Sequence, residues 1–314
     1  MGARILNGSK IRDEIKRGLE QEIRSLRSKG IRPGLAAVLV GENPASEIYV
    51  RNKVRTCEEL GLYSEKIELP REISTEQLLA VVASLNAREE IDGILVQLPL
   101  PTQVVTEKVL MAVDPVKDVD GFHPVNLGHL VSGRPGPVPC TPAGILEILR
   151  RNGVGIEGAK AVVIGRSTIV GKPLALLLLQ QNATVTVCHS RTRDLAAVAR
   201  EADILVAAMG KPAFVTAQFI KRGATVIDVG ISRLTTREEV MRVFGDPAVA
   251  LKVLEAKGSV VVGDVHPDDV KEKAAAFTPV PGGVGPLTIA MLMANTVRAA
   301  YARRGLPLPA THGS

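Results

Sequence analysis

A tyrosine and a lysine stand four residues apart in Gly41-Glu42-Asn43-Pro44-Ala45-Ser46-Glu47-Ile48-Tyr49-Val50-Arg51-Asn52-Lys53. On a helix, positions i and i+4 are neighbours, so Tyr49 and Lys53 would share one face. The ring can stack on a flat ligand and the amine can act as a base. An isolated Tyr-x-x-x-Lys more commonly half-packs its ring on a core and leaves the lysine in water. The pair therefore takes its meaning from other groups in the chain.

Gln97 ends the apolar run Ile94-Leu95-Val96. An amide there is costly to bury without a partner, so it should be hydrogen-bonded at the exit of a strand. Asp118-Val119-Asp120-Gly121-Phe122-His123-Pro124 lies in an irregular segment. Capping of turns is the expected role for Asp118 more than for Asp120. Two acids one residue apart raise the possibility of Mg²⁺, but no phosphate-cradling Walker pattern accompanies them, and no metal site is expected.

Ala161-Val162-Val163-Ile164-Gly165-Arg166-Ser167-Thr168-Ile169-Val170-Gly171-Lys172-Pro173 reads as strand, glycine turn and helix start. Ser167 stands where the second glycine of G-x-G-x-x-G belongs, so this pattern alone leaves nucleotide binding open. Cys188-His189-Ser190-Arg191 follows about 25 residues after Gly165, where an adenine ribose would sit. No carboxylate is there to hold a 2′-hydroxyl or repel a 2′-phosphate. Ser190, Arg191 and Arg166 instead offer donors and positive charge, which favours NADP over NAD, unless both arginines are ordinary surface residues. His189 has no acidic partner nearby in sequence and is expected to be structural.

The elements that would carry these groups follow a βα succession. Residues 35–40 are continuously apolar, as in a parallel strand buried on both sides. Asn43 is placed to cap a helix whose first residue is Pro44 and which runs to about Leu60. Residues 11–29 show helical spacing of Ile15, Leu19, Ile23 and Leu26. A strand over 63–69, a helix over 75–86 and a strand over 91–98 follow, closed by Pro99-Leu100-Pro101. Periodicity fails over 114–142, which reads as a domain boundary that also carries chemistry. A second α/β unit starts at Lys160, with strands expected over 161–164, 184–188, 204–208, 225–229 and 259–262. The loop 278–286 then leads into a helix over 287–298, and a Pro-rich tail is expected to be disordered.

Composition agrees. The 314 residues are 46% hydrophobic but only 3% aromatic, with no tryptophan, so the core must be aliphatic. The net charge of +6 is scattered, and its basic clusters lack interleaved aromatics, which disfavours nucleic acid as a partner. Cys57, Cys140 and Cys188 are odd in number and far apart, which indicates neither a disulfide framework nor a zinc site. The first ten residues hold no apolar signal core and no apolar run is long enough to span a bilayer, so a cytoplasmic protein without a membrane partner is expected.

Six motifs occur in one order: Gly41-x-x-Pro-Ala-Ser-x-x-Tyr-Val-x-x-Lys53, Gly93-Ile-Leu-Val-Gln-Leu-Pro-Leu-Pro101, Asp114-Pro-x-Lys-Asp-Val-Asp-Gly-Phe-His-Pro124, Pro139-Cys-Thr-Pro-x-Gly144, Val163-Ile-Gly-Arg-Ser-x-Ile-Val-Gly-Lys-Pro173 and Thr278-Pro-Val-Pro-Gly-Gly-Val-Gly-Pro286. Together they resemble the bifunctional methylenetetrahydrofolate dehydrogenase/cyclohydrolase family, the FolD proteins, from about Ile5 to Arg298. Glu42, where the family often has Asp, and Leu287, where Met is usual, are small departures.

The resemblance implies NADP-dependent oxidation of 5,10-methylenetetrahydrofolate and hydrolysis of the methenyl product to 10-formyltetrahydrofolate. It implies Tyr49, Lys53, Gln97 and Asp120 as catalytic residues. The same four, with Leu98, Pro281 and Gly282, would contact the folate, and Gly165, Arg166, Ser167, Ser190, Arg191 and Ile231 the cofactor. In this reading Asp120 accepts hydrogen bonds from the pterin, Tyr49 stacks, and Lys53 is the base for water, its neutral form favoured beside a methenyl cation. Gln97 orients the amine without holding a proton on it. The implied fold is α/β in two domains: a folate-binding catalytic domain of residues 1–122 and 286–300, and a Rossmann-type NADP domain of 140–280. The helix after Pro286 returns to the first domain, 301–314 form a tail, and the cofactor meets the folate between domains of a homodimer. A monofunctional folate dehydrogenase and a non-catalytic NADP-binding module are the alternatives; intact Lys53 argues against the first, and intact Lys53, Gln97 and Asp120 against the second.

Overall fold

The computed structural model of the protein describes residues 2–42 and 44–308. Asn43, the expected helix cap, and the end of the tail lie outside the described residues. Along the chain run β1 (Arg4–Ile5), α1 (Gly8–Arg27), β2 (Gly34–Val40), α2 (Pro44–Leu60), β3 (Tyr63–Leu69), α3 (Thr75–Ala87), β4 (Gly93–Val96), α4 (Thr106–Ala112), α5 (Pro124–Val131) and α6 (Cys140–Arg151). Then come β5 (Lys160–Ile164), α7 (Gly171–Gln180), β6 (Thr184–Cys188), α8 (Leu195–Ala199), β7 (Ile204–Ala207), β8 (Thr225–Asp228), β9 (Ser232–Leu234), α9 (Arg237–Val243), α10 (Ala248–Lys257), β10 (Val260–Val262), α11 (Pro267–Lys273), β11 (Ala276–Phe277) and α12 (Gly285–Arg303). The chain divides into two compact units. The first is Arg12–Cys140 with the chain from Thr288 on; the second is the chain up to Ile11 with Thr141–Leu287.

The first unit is built on a parallel sheet of order β3-β2-β4. Every residue of β2 is buried, as its unbroken apolar run requires. Ala36, Val38 and Val40 pack with Leu78, Val82 and Leu85 of α3 and Val109 of α4. A capping box starts α3, Ser74 accepting from the Gln77 amide and the Gln77 side chain accepting from Ser74. Ile15, Leu19, Ile23 and Leu26 of α1 are all buried. The end of α12 is tied down by Asp92, fully buried, which meets Arg303 at 2.5 Å and Arg304 at 2.7 Å and accepts from the Gly34 amide at 3.1 Å.

In this unit the sequence reading is corrected at β4 and before α6. The strand expected over 91–98 is only Gly93–Val96, so Gln97 stands just beyond it. The segment expected to be irregular contains α5, a short helix with Pro124 at its start and the His123 ring accepting from the Val125 amide. Before α5 the chain runs alongside β4, in a parallel bridge between Ile94 and Asp118.

The second unit holds six parallel strands in the order β1-β11-β8-β7-β5-β6. Its core packs Val162 and Ile164 of β5 with Leu205, Ala207, Val226 and Phe277 of neighbouring strands. β1, grouped by sequence with the folate-binding domain, is hydrogen-bonded to β11 in this sheet. The strand expected over 259–262 does not enter the sheet, because β10 pairs antiparallel with β9 as a separate ribbon. Among the described residues no helix is long and apolar enough to cross a membrane.

Candidate active site

Lys53 lies on α2, one turn after Tyr49, and is only 7% exposed, whereas Tyr49 is 38% exposed. The lysine is therefore no solvated surface charge. Its Nζ donates to Gln97 Oε1 at 3.0 Å. The amide is oriented by its other end, since Gln97 Nε2 donates to the Leu98 carbonyl at 2.7 Å. With its donor engaged, Gln97 presents an uncharged acceptor to the amine, and the expected need for a partner at the strand's exit is met. Leu98 itself is half-buried, next to a cis Leu98–Pro99 bond.

The segment that carries Asp120 is held from several sides. Lys117, buried, donates to the carbonyls of Leu85, Asn86 and Arg88, which pins the start of the segment to the end of α3. Asp118 accepts from the amides of Gly121 and His123 and from Asn126 Nδ2, so it clamps the turn rather than facing a ligand. Asn295 of α12 donates to the carbonyls of Val119 and Val138, both at 2.9 Å, and the Cys140 thiol also donates to Val119. Sequence reasoning passed over Asn295 and Cys140. A signal existed for the first, because an asparagine inside an apolar helix must find partners.

The half-buried Asp120 carboxyl is pushed up to about 6 by burial, an effect opposed by the nearby positive charge of Lys53 and reinforced by Asp118. Burial also raises the Cys140 thiol well above its ordinary range, helped by Asp120, so the thiol stays neutral. Lys53 thus meets Gln97 directly and Asp120 through its charge, a polar constellation in the first unit.

In the second unit β5 and β6 are neighbours with Ile164 opposite Cys188, so the turns after them are brought side by side. Arg166 and Ser167 follow β5, Ser190 and Arg191 follow β6, and all four are exposed. Gly165, at φ +134°, adopts a backbone that L side chains rarely reach, and a Cβ there would come within 2.2 Å of the Ala208 carbonyl oxygen. Ser167 Oγ accepts from the amides of Val170 and Gly171, tightening the start of α7. The serine thus orders the turn that a second glycine would have loosened. A cradle closed to Cβ atoms, with donors and guanidinium groups at the carboxyl ends of parallel strands, fits a dinucleotide with an added phosphate.

His189 Nδ1 accepts from the Arg191 amide, which ties the ring to its own turn. Ile231, after β8, is 52% exposed. Pro281 follows a cis bond, and the Gly282 carbonyl accepts from the amides of Gly8 and Ser9.

Residues 6–120 match the family described as tetrahydrofolate dehydrogenase/cyclohydrolase, catalytic domain, and residues 139–304 match its NAD(P)-binding domain. The chain belongs to this family. A relative from Koribacter versatilis named Bifunctional protein FolD is 62% identical over 97% of this chain and 99% of its own length. One of the same name from Solibacter usitatus is 60% identical over 96% and 99%. Among solved structures, the bifunctional enzyme FolD of Campylobacter jejuni superposes with a TM-score of 0.87 at 41% identity, covering 96% of this chain and 99% of that one. The methylenetetrahydrofolate dehydrogenase-cyclohydrolase (FolD) of Trypanosoma brucei, complexed with NADP cofactor and inhibitor, gives 0.86 at 38% identity over 97% and 99%. The two-domain α/β architecture is that of FolD, and the chain is a bifunctional enzyme of this family.

Proposed function

We propose that the protein oxidises 5,10-methylenetetrahydrofolate with NADP⁺ and hydrolyses the methenyl product to 10-formyltetrahydrofolate, with Lys53 as the base of the second step. The observation that carries this is the 3.0 Å hydrogen bond from a buried Lys53 to a Gln97 whose own donor is engaged elsewhere. A neutral amide orients the amine without locking a proton onto it, as a carboxylate would. Beside the methenyl carbon, the amine takes a proton from the attacking water. Asp120 as an anion accepts two hydrogen bonds from the pterin, and Tyr49 offers its exposed face for stacking.

The bound nucleotide supplies the hydride acceptor for the first step. Gly165 and Ser167 would hold its phosphates, Arg166, Ser190 and Arg191 the 2′-phosphate, and Ile231 an apolar face. Leu98, Pro281 and Gly282 line the folate in the same reading. A homodimeric, cytoplasmic enzyme is part of it: β6 is an edge strand with Val187 39% exposed, which gives a second copy a surface to cover.

Purified protein should oxidise methylenetetrahydrofolate with NADP⁺ at a kcat/KM at least about tenfold above that with NAD⁺, since one charge-assisted hydrogen bond contributes roughly 1.5 to 3 kcal/mol. Arg166→Ala should narrow the ratio. Equal kcat/KM for the two nucleotides would overturn the assignment of the 2′-phosphate site.

A further inference from the structure

In the six-stranded sheet the chain leaves β5 for β6 on one side and then crosses to β7 on the other. A crevice opens at such a reversal, outside the carboxyl ends of β5 and β7, and ligands of open α/β sheets lie there. β5 ends in the Gly165 turn and β7 in Ala208-Met209-Gly210-Lys211. The two loops touch, as the 2.2 Å approach of a Gly165 Cβ to the Ala208 oxygen shows.

What holds the second loop lies more than fifty residues further on. Asp264 is fully buried; its Oδ2 accepts from the amides of Met209 at 2.6 Å and Gly210 at 2.9 Å, and its Oδ1 from Lys211 at 2.7 Å. Three successive amides converging on one anion form a nest, a backbone shape that binds anions and is filled here by a side chain. The Asp264 amide is held in turn by Asp228 Oδ1 at 2.8 Å. That oxygen also accepts from Gly230, the residue before Ile231, and Oδ2 accepts from Val265. The Asp228 amide donates to Thr278 Oγ1 at 2.7 Å, at the head of the loop that carries Pro281 and Gly282. There is no slack: a Cβ on Gly230 would fall 2.3 Å from Asp264 Oδ1.

We propose that Asp264 is a positioning residue for the nucleotide, presetting the loop from Ala208 to Lys211 and, through Asp228, tying it to Ile231 and to the Thr278–Gly282 loop. This rests on the NADP reading above. A loop ordered in advance spares the cofactor the entropy of ordering it. Asparagine at 264 keeps the volume but turns an NH₂ group toward a backbone N–H, so at least one of the three amides loses its acceptor.

The test is Asp264→Asn in the full-length chain. KM for NADP⁺ should rise about tenfold or more while kcat at saturating nucleotide changes far less, as expected when a binding contribution of about 1.4 kcal/mol is lost. An unchanged far-UV circular dichroism spectrum and a cooperative thermal melt serve as the control for folding. A KM for NADP⁺ within twofold of wild type overturns the proposal, and so does a loss of kcat at unchanged KM. Should the variant fail to fold, hydrogen exchange in the wild type decides. The amides of Met209, Gly210 and Lys211 should be as protected without nucleotide as those of β7 and gain little on NADP⁺ saturation. Fast exchange that slows only when NADP⁺ is added would mean that the nucleotide orders the loop, and would overturn the role given to Asp264. Failure of the NADP reading itself is separate: it would appear as wild-type protein that hydrolyses methenyltetrahydrofolate and does not turn over with NADP⁺.

Discussion

In its proposed role Asp120 must be an anion to hold the pterin, yet burial favours its neutral form and lifts the carboxyl to about 6. Folate binding and kcat/KM for both reactions should therefore fall as pH drops through about 6, since kcat/KM follows ionisation of the free enzyme. The stability effect has the opposite direction. Between the ordinary carboxylate value of 3.8 and about 6 the native chain keeps a proton that the unfolded chain has released. This contribution is fully present below the unfolded value and lost as pH rises through the native one. Asp228, pushed up to about 7 chiefly by burial, adds a contribution of the same sign. Asp120→Asn should hence melt no lower than wild type at neutral pH, its advantage shrinking toward pH 4, while folate affinity drops by about tenfold or more. Thermal scans at the two pH values and a folate titration check both halves. A variant that binds folate like wild type would return Asp120 to the role of a turn residue.

At the scale of elements, α12 is joined to the sheet of the first unit through the buried Asp92 and its two arginines. Asp92→Ala leaves Arg303 and Arg304 without their carboxylate and frees the Gly34 amide, so it should cost about 3 kcal/mol, as breaking a buried pair does. A shift of the urea midpoint smaller than that of a surface substitution would contradict this. Sequence alone revealed β2, α2, β5 and β6, because buried parallel strands and a Pro-led helix leave dense local patterns. It also placed Tyr49 and Lys53 on one face and Gln97 at a strand's exit. It passed over α5, whose 8 residues are too few to show a period among Gly and Pro, and β1, whose 2 residues have meaning only beside β11. Asp264 was invisible for another reason: its partners are backbone amides of a loop remote in sequence, and no side-chain spacing encodes them.

For the whole molecule, two reactions on one folate are proposed to divide between the units, the nucleotide going to the six-stranded sheet and proton transfer to the first unit. Lys53→Met separates them, since methionine keeps the apolar stem and deletes the amine. The measurement is a progress curve of methenyltetrahydrofolate, begun with methylenetetrahydrofolate and NADP⁺, for wild type and variant side by side. Wild type should pass the intermediate on to 10-formyltetrahydrofolate. In the variant methenyltetrahydrofolate should accumulate and decay only at the uncatalysed rate, because a positioned base typically contributes about 10² to 10⁴-fold. Hydride transfer should slow yet persist, as it needs no proton taken from water. A folded Lys53→Met protein that clears methenyltetrahydrofolate as fast as wild type would contradict the assignment of Lys53 as the base.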